Sequence, residues 1–249
     1  MTCRLLTENY LFEYVESNID EPVVWENHCH IQFEMIAVLE GDVNIMLEGK
    51  SCRLTENQII IIPPLIYHAV TANKSGSYRR LMSLFDQSAI PEILHPYFLD
   101  KGNEHKFFRS YEAEKIMKIC QKKDADFYKP LSESLMIQIL YSGVQENNVS
   151  EVGESDEFLR KITSYIDEHL CGRILIDDLA KETARSKSSV CHLFEEKMNI
   201  SPKQYILQKK FALASKLIND GLPMTEVAVR IGYENYSNFY RMYKKFTEP

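Results

Sequence analysis

The pattern of apolar and polar residues changes character twice along the 249 residues. From Trp25 to Val70 the two kinds alternate in short runs, broken at Gly41-Asp42, Glu48-Gly49-Lys50, Thr55-Glu56-Asn57 and Pro63-Pro64. Period-two alternation between turn clusters predicts short strands of an all-β sandwich or small barrel. Ile59 to Ile62 is a continuous β-branched run and predicts a strand buried on both faces. Residues 71 to 110 continue as short strands, Tyr78 to Phe85 being the clearest, with a turn at the HPYF stretch around Pro96.

Helical spacing takes over at 111–122, with Ile116, Met117, Ile119 and Cys120 on its apolar face, and at 129–141, with Leu131, Leu135, Ile139 and Leu140. Both faces need cover, either from their own β-domain or from a partner subunit. The stretch 145–157, QENNVSEVGESDE, is polar, acidic and aperiodic, and reads as a linker. Beyond it Phe158 to His169 forms a helix with Leu159, Ile162, Ile166 and Leu170 on one face.

Two helix-turn-helix patterns follow. The first, about 174–197, places Leu179 and Ala180 on one helix, Ser186 at a cap, and Val190, Leu193 and Phe194 on the next. The second, about 224–246, has Val227, Ala228 and Ile231, a break at Gly232, then Phe239, Met242, Tyr243 and Phe246. They are copies: Ala180 maps to Ala228 at an offset of 48, whereas Val190 and Phe194 map to Phe239 and Tyr243 at 49, so the later turn is one residue longer. Between them a helix of some 17 residues runs from Ser201-Pro202 to about Asn219, ended by Asp220-Gly221 and Pro223. It would span about 25 Å, near the separation of successive major grooves on one DNA face.

Composition narrows the class. A 45% hydrophobic content supplies a core, and six cysteines without a CxxC pair indicate neither a disulfide framework nor a zinc ribbon. No apolar run resembles a membrane span or signal peptide, so a cytoplasmic protein with no membrane partner is expected. The net charge of −7 is uneven: from Glu157 onward 15 Lys and Arg face 12 Asp and Glu, while residues 1–156 carry 14 against 24. A positive balance of 3 confined to the C-terminal part suits double-stranded DNA bound through local placement of charge.

Candidate chemistry lies in both halves. His28, His30 and Glu34 are spaced so that one strand would project all three side chains to the same side, and His68 follows later. Three histidines and a carboxylate suit Fe, Mn, Ni or Zn. This spacing, His28-x-His30-x3-Glu34-x6-Gly41, resembles the first motif of the cupin superfamily, and Asn57-x5-Pro63-x4-His68 echoes its second, with Asn57 and Leu65 where the family usually has glycine. Two readings stay open: a bound divalent metal on His28, His30, Glu34 and His68, or neutral histidines hydrogen-bonded to Glu34 and backbone groups. The second is preferred, so no cofactor is expected; either way Trp25, His28, His30, Glu34, Tyr67 and His68 mark the effector pocket that the resemblance implies.

The segment from about Glu157 resembles the DNA-binding domain of AraC-type bacterial transcription regulators. The matching residues are Asp178-Leu179-Ala180, Ser186, Leu193-Phe194, Ser201-Pro202-x2-Tyr205-Ile206, Ala214-x2-Leu217, Ala228-x3-Gly232-Tyr233, Phe239 and Arg241-x-Tyr243-Lys244-Lys245. The resemblance implies a multidomain chain: a cupin-like sensor and dimerisation domain at 1–144, with barrel about 10–110 and helices about 111–143, the linker at 145–157, and an all-α tandem helix-turn-helix domain at 158–249. It also implies base-edge contacts on the second helix of each copy. The outward positions there are Ser188, Cys191, His192 and Glu195, then Tyr236, Ser237, Tyr240 and Arg241. Arg241 is the leading candidate, because a guanidinium pairs with guanine O6 and N7. Ser186, Lys187, Lys210, Asn235, Lys244 and Lys245 are phosphate-contact candidates. The expected protein is a non-enzymatic, effector-responsive homodimer that binds DNA, and as an activator, toward which the family leans, would meet RNA polymerase. The rivals are a metal-dependent cupin isomerase or oxygenase, and an effector-independent regulator whose barrel is only a dimer scaffold.

Overall fold

The computed structural model describes residues 1–21, 23–25, 28–72, 75–99, 106–145 and 156–247. Residues 28–31 and 47–50 group with 156–247 in one compact unit, and the rest form another.

The N-terminal half supplies strands β1 (Thr2–Leu6), β2 (Tyr10–Ile19), β3 (Val23–Val24), β4 (Phe33–Glu40), β5 (Asp42–Leu47), β6 (Lys50–Thr55), β7 (Gln58–Ile62), β8 (His68–Ala72), β9 (Gly76–Phe85) and β10 (Lys106–Arg109). They form a six-stranded sheet in the order β1-β2-β9-β4-β7-β10 and a four-stranded one in the order β3-β8-β5-β6. This is the all-β domain the alternation predicts. The sheet begins earlier than residue 10, since Thr2 to Leu6 pair antiparallel with Val15 to Leu11. β7 lies between β4 and β10, and Ile59 to Ile62 are at most 1% exposed, as a run with no polar alternation requires.

Asn57 and Leu65, standing where glycine was expected, adopt left-handed backbone at φ 63° and 66°. The turns therefore keep their glycine-like geometry without glycine. The HPYF stretch is a short helix, α1 (His95–Phe98), not a simple turn, because Pro96 sits in its first turn, where a missing N–H costs nothing.

Helices α2 (Glu112–Cys120) and α3 (Lys129–Gln145) follow. Their Ala113, Ile116, Met117, Leu135, Met136, Ile139 and Leu140 share one core cluster with Tyr10, Phe12, Met35 and Phe85 of the large sheet. Their own β-domain thus covers their apolar faces. Leu131, read as a core position, is 49% exposed. α3 is apolar on more than one face, so periodicity alone mislocates its buried stripe. Of the expected linker, Gln145 ends α3 and Glu157 begins α4 (Glu157–Glu168), while 146–155 lie outside the described residues. Asp156 caps α4, its carboxylate accepting from the Phe158 and Leu159 amides at 2.9 and 3.1 Å.

The helical domain continues with α5 (Ile176–Glu182), α6 (Lys187–Met198), α7 (Pro202–Asn219), α8 (Met224–Arg230) and α9 (Tyr236–Thr247). Adding 48 to both ends of α5 gives α8, and adding 49 to both ends of α6 gives α9. The extra residue falls in the turn, as the sequence offsets require. α5 and α8 end in the same Schellman closure: Arg185 N–H donates to Ala180 O and Tyr233 N–H to Ala228 O, each at 2.9 Å. The left-handed residue is Ala184 in the first copy, φ 51°, and Gly232 in the second, φ 84°. In the same unit Lys209, 1% exposed, sits with its ammonium 2.7 Å from Glu48 and 2.8 Å from Asp167. Two carboxylates around one buried cation are the arrangement that burying a charge demands.

The two turn positions should respond oppositely to substitution. A Cβ on Gly232 would lie 2.6 Å from the Gly172 carbonyl carbon and oxygen. Gly232→Ala is expected to destabilise by at least about 2 kcal/mol, and Ala184→Gly to stay within about 1 kcal/mol of wild type, by urea denaturation. A Gly232→Ala protein as stable as wild type would contradict the close approach.

Candidate nucleic-acid interface and sensor site

Each second helix is anchored by its inner face and presents its outer one. In α6, Val190, Phe194 and Met198 are fully buried, and Phe194 packs edge-on against Tyr205 of α7 with ring centroids 5.3 Å apart. In α9, Phe239 is fully buried, and with Tyr243 and Phe246 it surrounds Phe211 of α7 at 5.5 to 6.2 Å. The helical repeat then turns Ser188, His192 and Glu195 of α6, and Tyr236, Ser237, Tyr240 and Arg241 of α9, to the exposed side. Cys191 is only half-exposed.

Side-chain caps fix where both helices begin. Ser186 Oγ accepts from the Ser189 amide at 3.2 Å, and Asn235 Oδ1 from the Asn238 amide at 2.9 Å. On α9 the rings of Tyr236 and Tyr240 stand 6.1 Å apart, and the Arg241 guanidinium donates to Asn238 Oδ1 at 3.1 Å, with no carboxylate partner such as Glu234 among the described residues. It is held by a neutral partner on an exposed surface, which a base edge can replace at small cost. On α6, His192 faces Glu196 at 3.7 Å.

Lys244 and Lys245 are exposed in the last turn of α9, and Lys187 is exposed with its ammonium 2.5 Å from Asp177. Lys181 and Arg185, absent from the sequence reading, join Lys187 and Ser186 around an open hollow of about 560 Å³ at the start of α6. Their place beside the capping Ser186 was the available signal, since cations and free amides gather anions at a helix start.

Lys210 is a correction. It is 7% exposed, and its ammonium donates to the carbonyls of Ile231, at 2.6 Å, and Gly172. Burial pushes its pKa down. An ammonium enclosed by two carbonyls is a structural strut, and does not reach a phosphate.

Of the sensor candidates, His28 and His30 do not lie on one strand. His28 makes an isolated bridge, His30 follows in a loop, and Glu34 belongs to β4. The rings of His28 and His30 stand 5.6 Å apart in one compact unit, while Glu34 and His68 meet in the other. Glu34 and His68 are buried, and His68 Nε2 is 2.7 Å from Glu34 Oε2. His68 Nδ1 is 2.9 Å from the Ile66 carbonyl, which can accept from it. Three imidazoles and a carboxylate are donor types that suit a divalent metal taking nitrogen and oxygen ligands. Tyr67 is fully buried. Trp25 is half-buried, 5.3 Å from the Tyr78 ring and with the Arg80 guanidinium 5.3 Å above its own.

Comparison with known proteins agrees with both halves. Residues 9–162 match the AraC-like ligand binding domain, and residues 179–248 match a helix-turn-helix domain. The probable transcriptional regulator LumQ of Photobacterium leiognathi is 32% identical over 226 residues, 88% of this chain and 87% of its own length. The uncharacterised helix-turn-helix-type transcriptional regulator YdiP of Escherichia coli (strain K12) is 22% identical over 90% of this chain and 79% of its own. The crystal structure of ToxT from Vibrio cholerae O395 aligns over 96% of this chain and 94% of its own, with a TM-score of 0.45 and 10% identity.

Strut and phosphate contact leave different signatures. Lys210→Met is expected to lower unfolding stability by about 2 kcal/mol through two stranded carbonyls, with no change in the salt slope of DNA binding. Lys244→Ala is expected to leave stability unchanged and reduce that slope by about 0.9. A Lys210→Met protein of normal stability with a reduced slope would restore Lys210 to the phosphate contacts.

Proposed function

The chain belongs to the AraC-type family of helix-turn-helix transcription regulators, and on that premise we propose that it is an effector-responsive activator reading two successive major grooves. The observation that carries this reading is the duplicated unit: α5-turn-α6 recurs as α8-turn-α9, and each second helix has an apolar inner face and a polar outer one. Tyr236, Ser237, Tyr240 and Arg241 then read base edges from α9, and Ser188, Cys191, His192 and Glu195 from α6. The α6 set is small or acidic, so α9 contributes more of the discrimination. Lys181, Arg185, Lys187, Lys244 and Lys245, with the capped helix starts at Ser186 and Asn235, position the phosphates.

The β-domain senses a small molecule at the residues around Trp25, His28, His30, Glu34, Tyr67 and His68. An aromatic wall backed by a guanidinium and a cluster of imidazoles supplies stacking and polar recognition together. This assigns the histidine cluster to recognition rather than catalysis. The effector acts through its different affinities for the DNA-competent and incompetent arrangements. The protein works in the cytoplasm as a homodimer, an association supported by the exposed Phe127, in the turn before α3, and Leu131, in the first turn of α3, 79% and 49% exposed, and it recruits RNA polymerase.

Titration of the protein on DNA from upstream of its own gene, at about 0.15 M salt, is expected to show at least about a thousandfold preference over random DNA. Arg241→Ala should cost about 1–3 kcal/mol on that site and much less on random DNA. Equal affinity for both DNAs would defeat the specific-regulator reading.

A further inference from the structure

A second cavity, of about 320 Å³, opens between α7 and α9, and shares no lining residue with the hollow at the start of α6. Its walls are Leu207 and Phe211 from α7 and Met242 and Phe246 from α9. Three polar residues interrupt them. Gln204 and Gln208 bring side-chain amides. Lys245 brings an exposed ammonium that forms no salt bridge among the described residues. Apolar walls with a few converging polar groups, at this volume, are the composition of a small-molecule site.

We propose that this cavity binds a small amphipathic anion: an aromatic or branched apolar body for Leu207, Phe211, Met242 and Phe246, and an acidic group for the Lys245 ammonium. The site belongs to the helical domain alone and is separate from the β-domain residues assigned to effector sensing. Its occupant touches both the helix that joins the two copies and the helix that carries Tyr236, Ser237, Tyr240 and Arg241. Occupancy therefore clamps α9 onto α7 and engages Lys245 away from phosphate. That regulatory consequence rests on the DNA-reading role proposed above; the binding site itself does not.

The probe is 8-anilinonaphthalene-1-sulfonate, which carries fused rings, an anilino N–H and a sulfonate. Its fluorescence is titrated against the full chain without DNA. Lys245→Glu reverses an exposed charge and leaves the core untouched, whereas Met242→Trp fills the cavity. Each is expected to weaken binding by about tenfold or more, the loss of one charge-assisted contact or of the space itself, while Lys244→Glu on the adjacent position leaves the isotherm unchanged. A wild-type isotherm indistinguishable from those of Lys245→Glu and Met242→Trp would overturn the proposal, whatever the protein does with DNA.

Discussion

The buried ammonium of Lys210 is the interaction on which the geometry of the helical domain depends. It lies on α7, the helix joining the two copies, and bonds the carbonyls of Gly172, ahead of the first, and Ile231, at the end of α8. One cation thus ties three elements at a point where burial makes leaving any partner costly. The same contact explains Gly232: the chain at Gly172 comes so near that a side chain has no room, and the turn needs a left-handed residue in any case. With α7 at 18 residues, about 27 Å long, the two second helices are held by a rigid spacer and a fixed corner.

The two heads are not equivalent within this frame. The second has an aromatic cluster around Phe211, and Tyr243, whose hydroxyl needs a partner once buried, finds Ser215 Oγ at 2.9 Å. Its outer face offers two tyrosines and an arginine. The first relies on Phe194 against Tyr205 and shows small, polar or acidic groups outward. Its cations instead cluster beside the cap of α6. If the helices read DNA as proposed, the second head would contribute more to sequence discrimination and the first more to placement on the backbone.

Much of this was legible in the sequence, and the parts that were not have a common cause. The duplication could be read because apolar positions at 3.6-residue spacing recur at fixed offsets, and one added residue in a turn shifts every later anchor by one. The four Ile residues of β7 could be read because only a strand covered on both faces tolerates such a run. The convergence of His68 on Glu34, 34 residues apart in the chain, followed from motif spacing, although the expected strand through His28 and His30 is a bridge and a loop. Lys210 was misread because a lysine within an amphipathic helix looks like surface charge, and its partners are backbone carbonyls 38 and 21 residues away that carry no side-chain signature. Ala184 announces no left-handed turn, and Leu131 belongs to a helix apolar on more than one face.

Two reading helices held at a fixed spacing on one face of DNA is the central claim. Hydroxyl-radical footprinting on the DNA upstream of the protein's own gene tests it most directly. The account predicts two protected windows on the same face, about 10 base pairs apart, with both weakened when about 5 base pairs are inserted between them. A single protected window, or two whose protection survives the insertion unchanged, would contradict it.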